Sequence, residues 1–191
     1  MTIVLASGSP RRHQLLDMLG IAHDVDPSDL PETAYPGESA EATAIRLARA
    51  KATQVAGRHP GRWVLGADTL VALGEEMLGK PGSVAEAEAM LGRLQGRDHR
   101  VVTALALVRN GTLHERHDVT RVWFRSLSAE QIRAYVATGE PLDKAGAYGV
   151  QGYGAALVER IEGDFFGVMG LPVRLVVDAL ERAGMPYSFT R

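Results

Sequence analysis

The sequence predicts an α/β fold in which a mixed sheet is flanked by helices. Predicted strands and helices alternate along the chain, which is typical of units that build a parallel sheet. Two predicted hairpins interrupt this alternation, at Gly74-Glu75 and at Asn110-Gly111, and a hairpin joins antiparallel strands. The pattern therefore favours a mixed sheet over a purely parallel, doubly wound one.

Length and composition limit the class of protein. With 191 residues, 46% hydrophobic and 23% charged, the chain suits a single globular domain spanning residues 1–191. A net charge of −2 argues against nucleic acid as a partner, and the lack of cysteine excludes disulfides and thiolate chemistry. No apolar run approaches the roughly 20 residues of a membrane span, and no basic leader precedes the first predicted strand. We therefore expect a cytoplasmic protein without a membrane partner.

The first elements are a short buried strand over residues 3–6, a turn at Ser7-Gly8-Ser9 and a helix from Pro10 to Leu19. Such a corner is an anion site, because the first amides of a helix have no internal partner and its dipole attracts negative charge. Ser7 and Ser9 add hydroxyl donors at the same corner.

Two arginines in the first turn of this helix, Arg11 and Arg12, conflict with the helix dipole, which favours acids there. A ligand with several negative charges, such as a polyphosphate, removes the conflict. The alternative is an ordinary strand–helix corner whose arginines are solvated.

The middle of the chain predicts a second strand near residues 21–26 and a Pro-rich acidic loop that ends at Gly37. A long helix follows over residues 39–56, with an apolar stripe of Ile45, Ala48 and Ala52 and with Lys51 off that stripe. Next come a strand over 63–73 and a short partner strand that ends at Gly79.

The rest of the chain predicts two helices that begin with capping boxes, over residues 84–94 (Ser83 with Glu86) and from Ser128 to Ala137. Between them, a hairpin of two strands covers residues 99–124. A glycine-rich stretch over 139–154 leads into a predicted strand over 155–161, and a final helix over 172–183.

Asp68 is the residue that most clearly indicates chemistry, because it interrupts an apolar run from Trp63 to Leu73. A buried carboxylate is costly unless it is paired, hydrogen-bonded or bound to a metal, so Asp68 is a candidate base or magnesium ligand. The alternative is a structural acid satisfied by amides or by a lysine. The hairpin is expected to bring Lys80 near Asp68, where it would pair with the acid and contact phosphate.

The stretch from Asp143 to Gly152 combines charges, three glycines, an aromatic ring and an amide. Glycines let the backbone approach a ligand, and the Gln151 amide can read a base edge as donor and acceptor. Tyr148 stacks on a ligand or fills the core. A structural turn with a solvated glutamine remains the alternative.

Together these segments resemble the Maf family of nucleoside triphosphate pyrophosphatases over nearly the whole chain. The resemblance is carried by five ordered motifs: Leu5 to Arg12, Arg46 to Ala52, Gly66 to Thr69, Gly79-Lys80-Pro81, and Asp143 to Gly152 followed by Val168 to Pro172. The form Asp-Lys-Ala-Gly-Ala-Tyr-Gly-Val-Gln-Gly is similar to the subgroup that acts on dTTP and UTP.

The resemblance implies an elongated mixed sheet with a central cleft, like that of inosine triphosphate pyrophosphatases. It implies hydrolysis of dTTP, UTP or modified pyrimidine nucleotides to the monophosphate and pyrophosphate with Mg²⁺ or Mn²⁺, and a homodimer. Its alternative is a non-catalytic nucleotide-binding regulator of cell division.

The same resemblance assigns roles to individual positions. Asp68 is the proton acceptor and, with Glu32, a metal ligand, although members often carry two acids where this chain has Pro31-Glu32. Arg11, Thr69 and Gln151 set base specificity. The phosphate contacts are Ser7, Ser9, Arg12, Lys51 and Lys80. Because Asp68 and Thr69 are adjacent, a regular strand points them to opposite faces, so a shared site requires the strand to end or bulge, with Gly66 permitting it.

Overall fold

A computed structural model describes residues 2–189, and the ends of the predicted 1–191 domain lie outside them. The strands are β1 (Ile3–Leu5), β2 (His23–Val25), β3 (Val64–Leu73), β4 (Glu76–Leu78), β5 (Asp98–Arg109), β6 (Thr112–Phe124) and β7 (Val158–Glu162). The helices are α1 (Pro10–Met18), α2 (Ala40–Ala56), α3 (Val84–Leu94), α4 (Ala129–Val136), α5 (Phe165–Met169) and α6 (Val173–Arg182). Three 3₁₀ turns lie at Glu140–Asp143, Ala145–Ala147 and Gly152–Leu157.

One mixed sheet holds these strands in the order β2-β1-β3-β5-β6-β7, with β4 also paired to β3. β1 runs parallel to β2 and β3, and the other pairings are antiparallel. Both predicted hairpins are present, and Asn110 and Gly111 adopt the positive φ values of 48° and 82° that a tight turn requires. The predicted mixed α/β fold is confirmed.

One edge of β3 is only partly covered. β5 pairs with β3 from Val64 to Ala72, so β1 and β4 share the opposite edge. On that edge β1 pairs only as far as Leu65, and β4 pairs from Val71 onward. The edge between these residues is unpaired, and it opens into the cavity described below.

Helix α2 packs closely on the sheet through small residues. Ser39 caps its first turn by accepting a hydrogen bond from the Ala42 amide, 3.1 Å away. A Cβ built on Gly66 of β3 would lie 2.6 Å from the Ala52 nitrogen and would also clash with the Ala48 carbonyl oxygen. Gly66 therefore allows helix and sheet to approach, and the bulge predicted there is absent because the β3–β5 pairing runs through it without a break.

Three local predictions are wrong. Ser83 caps α3, but the Glu86 carboxylate accepts from the Gly82 amide, so the reciprocal box forms only at Ser128 and Gln131. The strand predicted over 155–161 begins at Val158, because a 3₁₀ turn occupies the preceding residues. Lys51, predicted off the apolar stripe, lies on the buried face of α2.

Apolar side chains pack on both faces of the sheet. On one face, a cluster under α3 and α4 includes Leu91 and Phe124, and a second cluster under α1 and α6 includes Leu16. On the other face, α2 packs through small residues such as Ala48 against Ala104 of β5. Among residues 2–189, no helix has the length and apolar character needed to cross a membrane.

Candidate active site

The corner between β1 and α1 forms the floor of a cavity of about 490 Å³. Pro10 is the first residue of α1, as predicted, so the amides of the first turn face this corner. The hydroxyl oxygen of buried Ser7 accepts a hydrogen bond from the Ser9 amide at 3.2 Å, which closes the turn. Ser9 lines the cavity and its hydroxyl makes no capping bond, so it is available to a ligand.

Arg12 is held at three points on one wall of the cavity. Its Nε donates to the Gly170 carbonyl at 2.8 Å, and its terminal nitrogens donate to the hydroxyls of Ser7 and Thr69 at 3.1 and 3.2 Å. Burial lowers the pKa of Arg12, and the charge of Asp68 opposes that change, so the guanidinium stays charged at neutral pH. A guanidinium has more N–H donors than these contacts use, so Arg12 can still bind an anion.

Lys51 is a buried cation between two acids. Its Nζ lies 2.6 Å from Asp68 Oδ1 and 2.5 Å from Glu32 Oε1. The side chains of Lys51 and Asp68 are only 5% and 6% exposed, whereas that of Glu32 is 49% exposed. Partial burial acts to raise the pKa of Glu32, but the hydrogen bond and charge of Lys51 outweigh it and hold that pKa below its ordinary value. Lys51 therefore keeps Glu32 a carboxylate and contacts both acids beside the cavity.

Asp68 keeps one oxygen free. Its Oδ2 is buried and accepts no hydrogen bond from residues 2–189. A buried anionic oxygen without a donor is costly, and this residue lines the cavity, so a ligand is the natural partner. Together with Glu32 it offers the hard oxygen donors that Mg²⁺ and Mn²⁺ prefer, so the residues present fit a divalent cation.

Asp68 and Thr69 serve one cavity without a bulge. β3 stays regular here, so Asp68 faces Lys51 while Thr69 faces Arg12 and Thr103, whose hydroxyl is 3.0 Å away. The unpaired edge of β3 lies at these two residues, so a ligand at that edge can reach both faces of the strand. The open edge, and not a break in the strand, resolves the conflict between the two orientations.

A second cavity of about 220 Å³ adjoins the first and shares Arg11, Lys144, Val150 and Met169 with it. Arg11 and Gln151 meet there, and Gln151 lines only this cavity. Arg11 also lies 3.8 Å from Asp143. The three residues assigned to base specificity thus divide: Arg11 and Gln151 share the second cavity, and Thr69 is in the first.

The lysine that pairs with Asp68 is not the one that the hairpin predicted. Lys80 does not pair with Asp68; its Nζ lies 3.9 Å from Glu32 Oε2, and its side chain is 61% exposed at the cavity rim. Lys51 makes the pair with Asp68 instead, because α2 packs directly on β3. Tyr148 belongs to the core, where its hydroxyl lies 2.7 Å from His99 Nε2.

Three residues that hold this site have roles that the sequence did not predict. Thr103 bonds to the Gly167 carbonyl at 2.7 Å and so ties β5 to α5. Gly170 supplies the carbonyl for Arg12, and Glu140 binds the backbone around Gln151. Thr103 is visible as the polar residue inside the apolar run from Val101 to Val108, whereas nothing local to the sequence reveals the other two contacts.

Known proteins are similar to this chain over nearly its whole length. The family profile described as "Maf-like protein" matches residues 2–183. The chain belongs to the Maf family. The dTTP/UTP pyrophosphatase of Myxococcus xanthus is 54% identical over 186 residues, covering 96% of this chain and 93% of that protein. The dTTP/UTP pyrophosphatase of Aquifex aeolicus is 49% identical, covering 91% and 90%. Among solved structures, the Ham1 protein of Staphylococcus aureus aligns with a TM-score of 0.47 and 18% identity, over 83% of this chain and 80% of that one.

The matched Maf region contains both cavities and every residue that lines them. The corner at Ser7, the Lys51–Asp68 pair and the Gln151 loop are therefore all features of the Maf-family part of the chain.

Proposed function

We propose that this Maf-family chain hydrolyses dTTP and UTP to the nucleoside monophosphate and pyrophosphate. The observation that carries the proposal is Asp68, whose buried Oδ2 accepts no hydrogen bond from the described residues and which lines a cavity that also contains a fixed arginine and a helix N-terminus. A general base beside a polyphosphate site is the arrangement that such a hydrolysis requires. The names of relatives about 50% identical over nearly the whole chain support the choice of substrates.

The triphosphate would lie in the first cavity. Arg12, Ser7, Ser9 and the first amides of α1 bind phosphate oxygens there, and Lys80 at the rim adds a flexible positive charge. Lys51 acts mainly on the acids, because both of its contacts are carboxylates. This arrangement concentrates fixed positive charge where the pyrophosphate leaving group develops negative charge.

Asp68 and Glu32 would hold a divalent cation, Mg²⁺ or Mn²⁺. When bound, such a cation neutralises phosphate oxygens and makes the phosphorus more electrophilic. Lys51 occupies one oxygen of each acid, so Asp68 Oδ2 and Glu32 Oε2 are the atoms left for this task. Glu32 is the more accessible of the two ligands.

Asp68 would also accept the proton of the attacking water. The water oxygen bonds to the α-phosphorus, the bond from that phosphorus to the oxygen bridging to the β-phosphate breaks, and pyrophosphate leaves with that oxygen. The water proton passes to the Asp68 carboxylate. General-base assistance of this kind contributes a factor of roughly 10²–10⁴ in rate.

The base would occupy the second cavity. Gln151 offers an acceptor for N3–H and a donor for O4, a pair that uracil and thymine share. Arg11 lies at the junction of the two cavities and is placed to contact either base or phosphate. Thr69 reaches the nucleotide through Arg12, whose position it helps to fix. One chain carries both cavities, which supports its action as a single domain.

The test is a product assay over a nucleotide panel that includes modified pyrimidines. We expect dTTP and UTP to yield monophosphate and pyrophosphate in Mg²⁺ or Mn²⁺, and EDTA to abolish turnover. The Asp68→Asn variant should lose roughly 10²-fold or more in kcat while still binding dTTP. Asp17→Asn, on an exposed position of α1, is the matched control. Release of single phosphate, or full activity of Asp68→Asn, would contradict the proposal.

A further inference from the structure

Residues 149–154 form the loop that carries Gln151, and both of its ends are tied to one pair of side chains, the partly buried Glu140 and the buried Tyr135. The Glu140 carboxylate accepts from the Gly154 amide at Oε1 and from the Tyr153 amide at Oε2, both at 2.9 Å. Oε1 also accepts from the Tyr135 hydroxyl at 2.9 Å. The Tyr135 oxygen in turn accepts from the Gly149 amide at 3.2 Å. Each of these hydrogen bonds to the Glu140 carboxylate therefore comes from a loop amide or from Tyr135, which holds the other end of the loop.

The loop glycines show how closely the carboxylate fits the backbone. A Cβ on Gly152 would lie 2.5 Å from Glu140 Oε2, and Gly152 has a φ of +66°. A Cβ on Gly154 would clash with the Gly149 carbonyl oxygen and would lie 2.7 Å from the Tyr135 hydroxyl. The glycines thus leave room for Glu140 and Tyr135 to reach the backbone, and Gln151 is left exposed between the two tied ends.

Burial raises the pKa of Tyr135, and its hydrogen bond to Glu140 adds to that increase, so the phenol stays a donor at neutral pH. The hydrogen-bonding groups of the pair are then satisfied. The Glu140 carboxylate accepts three hydrogen bonds, and the Tyr135 hydroxyl oxygen accepts one from the Gly149 amide. Neither side chain lines the phosphate cavity, and Glu140 borders the second cavity together with Gln151.

We propose that Glu140 is the positioning residue for base recognition, which fixes the Gln151 loop beside the second cavity. This inference rests on the proposed function. A side-chain amide can present its donor and acceptor in either order, so it selects uracil or thymine over cytosine only when the backbone holds it at a defined place. Glu140 supplies that constraint from outside the phosphate site, through the Tyr153 and Gly154 amides and the Tyr135 hydroxyl.

An isosteric amide breaks the arrangement. In Glu140→Gln one acceptor becomes an NH₂ donor, which must face either the Tyr153 amide or the shared Gly154 and Tyr135 donors. A donor facing a donor leaves a polar group unsatisfied, so the loop moves while the shape of the side chain is conserved. Tyr135→Phe removes only the tie to Gly149 and the donor to Glu140, so it tests the other end of the same loop.

The experiment compares wild type, Glu140→Gln and Tyr135→Phe with a matched control, Glu130→Gln, which alters an exposed acid on α4. Steady-state kinetics with dTTP and dCTP give KM, kcat and the ratio of kcat/KM values. Inorganic tripolyphosphate, which has no base, is the probe of the phosphate cavity through its inhibition constant. Thermal unfolding confirms that each variant is folded.

For Glu140→Gln we expect KM for dTTP to rise by about tenfold or more and the preference for dTTP over dCTP to fall by a similar factor. kcat for dTTP should stay within about threefold, and inhibition by tripolyphosphate should be unchanged. Tyr135→Phe should give the same pattern with a smaller effect. An unchanged dTTP preference in Glu140→Gln would overturn the proposal, as would an equal weakening of dTTP and tripolyphosphate. If wild type itself fails to turn over dTTP and UTP, the proposed function fails, whatever Glu140 does.

Discussion

Removing the Lys51 charge is expected to destabilise the protein more than removing any exposed lysine. Lys51→Met keeps the length of the side chain but leaves Asp68, only 6% exposed, without its cation. Breaking one partner of a buried pair costs about 3–5 kcal/mol, because the remaining charge cannot recover its hydration. Glu32 is 49% exposed and can turn to water, so nearly all of the loss arises at Asp68.

The assay is urea unfolding of a double-mutant cycle with Lys51→Met, Asp68→Asn and the double variant. In the double variant both charges are gone. Its loss of unfolding free energy should therefore be smaller than the sum of the two single losses, by about 2 kcal/mol or more. Lys80→Met is the matched control, since the Lys80 side chain is 61% exposed, and it should change stability by no more than about 0.5 kcal/mol. Additive single losses, or equal effects of Lys51→Met and Lys80→Met, would refute the reasoning.

Three further predictions concern the core and the phosphate wall. Gly66→Ala should lower the free energy of unfolding in urea by about 1–3 kcal/mol, because the added methyl forces α2 away from β3. Gly92→Ala, on the open face of α3, should instead raise it by up to about 1 kcal/mol. Equal effects of the two changes would contradict the close approach of α2 to β3 at Gly66. Burial lowers the pKa of His99 to about 4, so the unfolded chain takes up this proton first as pH falls. Stability should therefore drop by up to about 3 kcal/mol between pH 6.5 and 4, and His99→Asn should show a shallower decline in the same unfolding series; parallel curves would exclude His99 as the cause. Arg12→Lys should raise KM for dTTP by about tenfold, because an ammonium cannot make three fixed contacts and also bind phosphate; an unchanged KM would show that Arg12 is only structural.

Local patterns were sufficient to predict most of the fold. The corner at Ser7–Pro10, both hairpins and the positions of the main helices follow from turn residues, caps and apolar periodicity, which act within a few residues. The 3₁₀ turns after Gly139 could not be predicted, because glycines at positive φ allow many backbone paths and contacts with Tyr135 and Glu140 select one of them. The strand start at Val158 was misplaced for the same reason.

The candidate site divides in the same way. Asp68 could be identified because a charge inside an apolar run is visible in the sequence itself. Its partner could not, since Lys51 lies on a helix of alanines whose small side chains let two faces pack, and only the contact with β3 shows which face is buried. The contact of Arg12 with Gly170 joins residues 158 positions apart, and no pattern within the sequence specifies it.

That contact also governs when the site can exist during synthesis. The Nε of Arg12 donates to the carbonyl of Gly170, which is translated 158 residues after Arg12. At about 5–20 residues per second the ribosome needs about 8–30 s to cover that distance. A growing chain therefore carries the anion-binding corner long before the wall that orients Arg12, and fragments that end before α5 should bind triphosphate weakly. Full triphosphate binding is therefore expected only after α5 and Gly170 have been made.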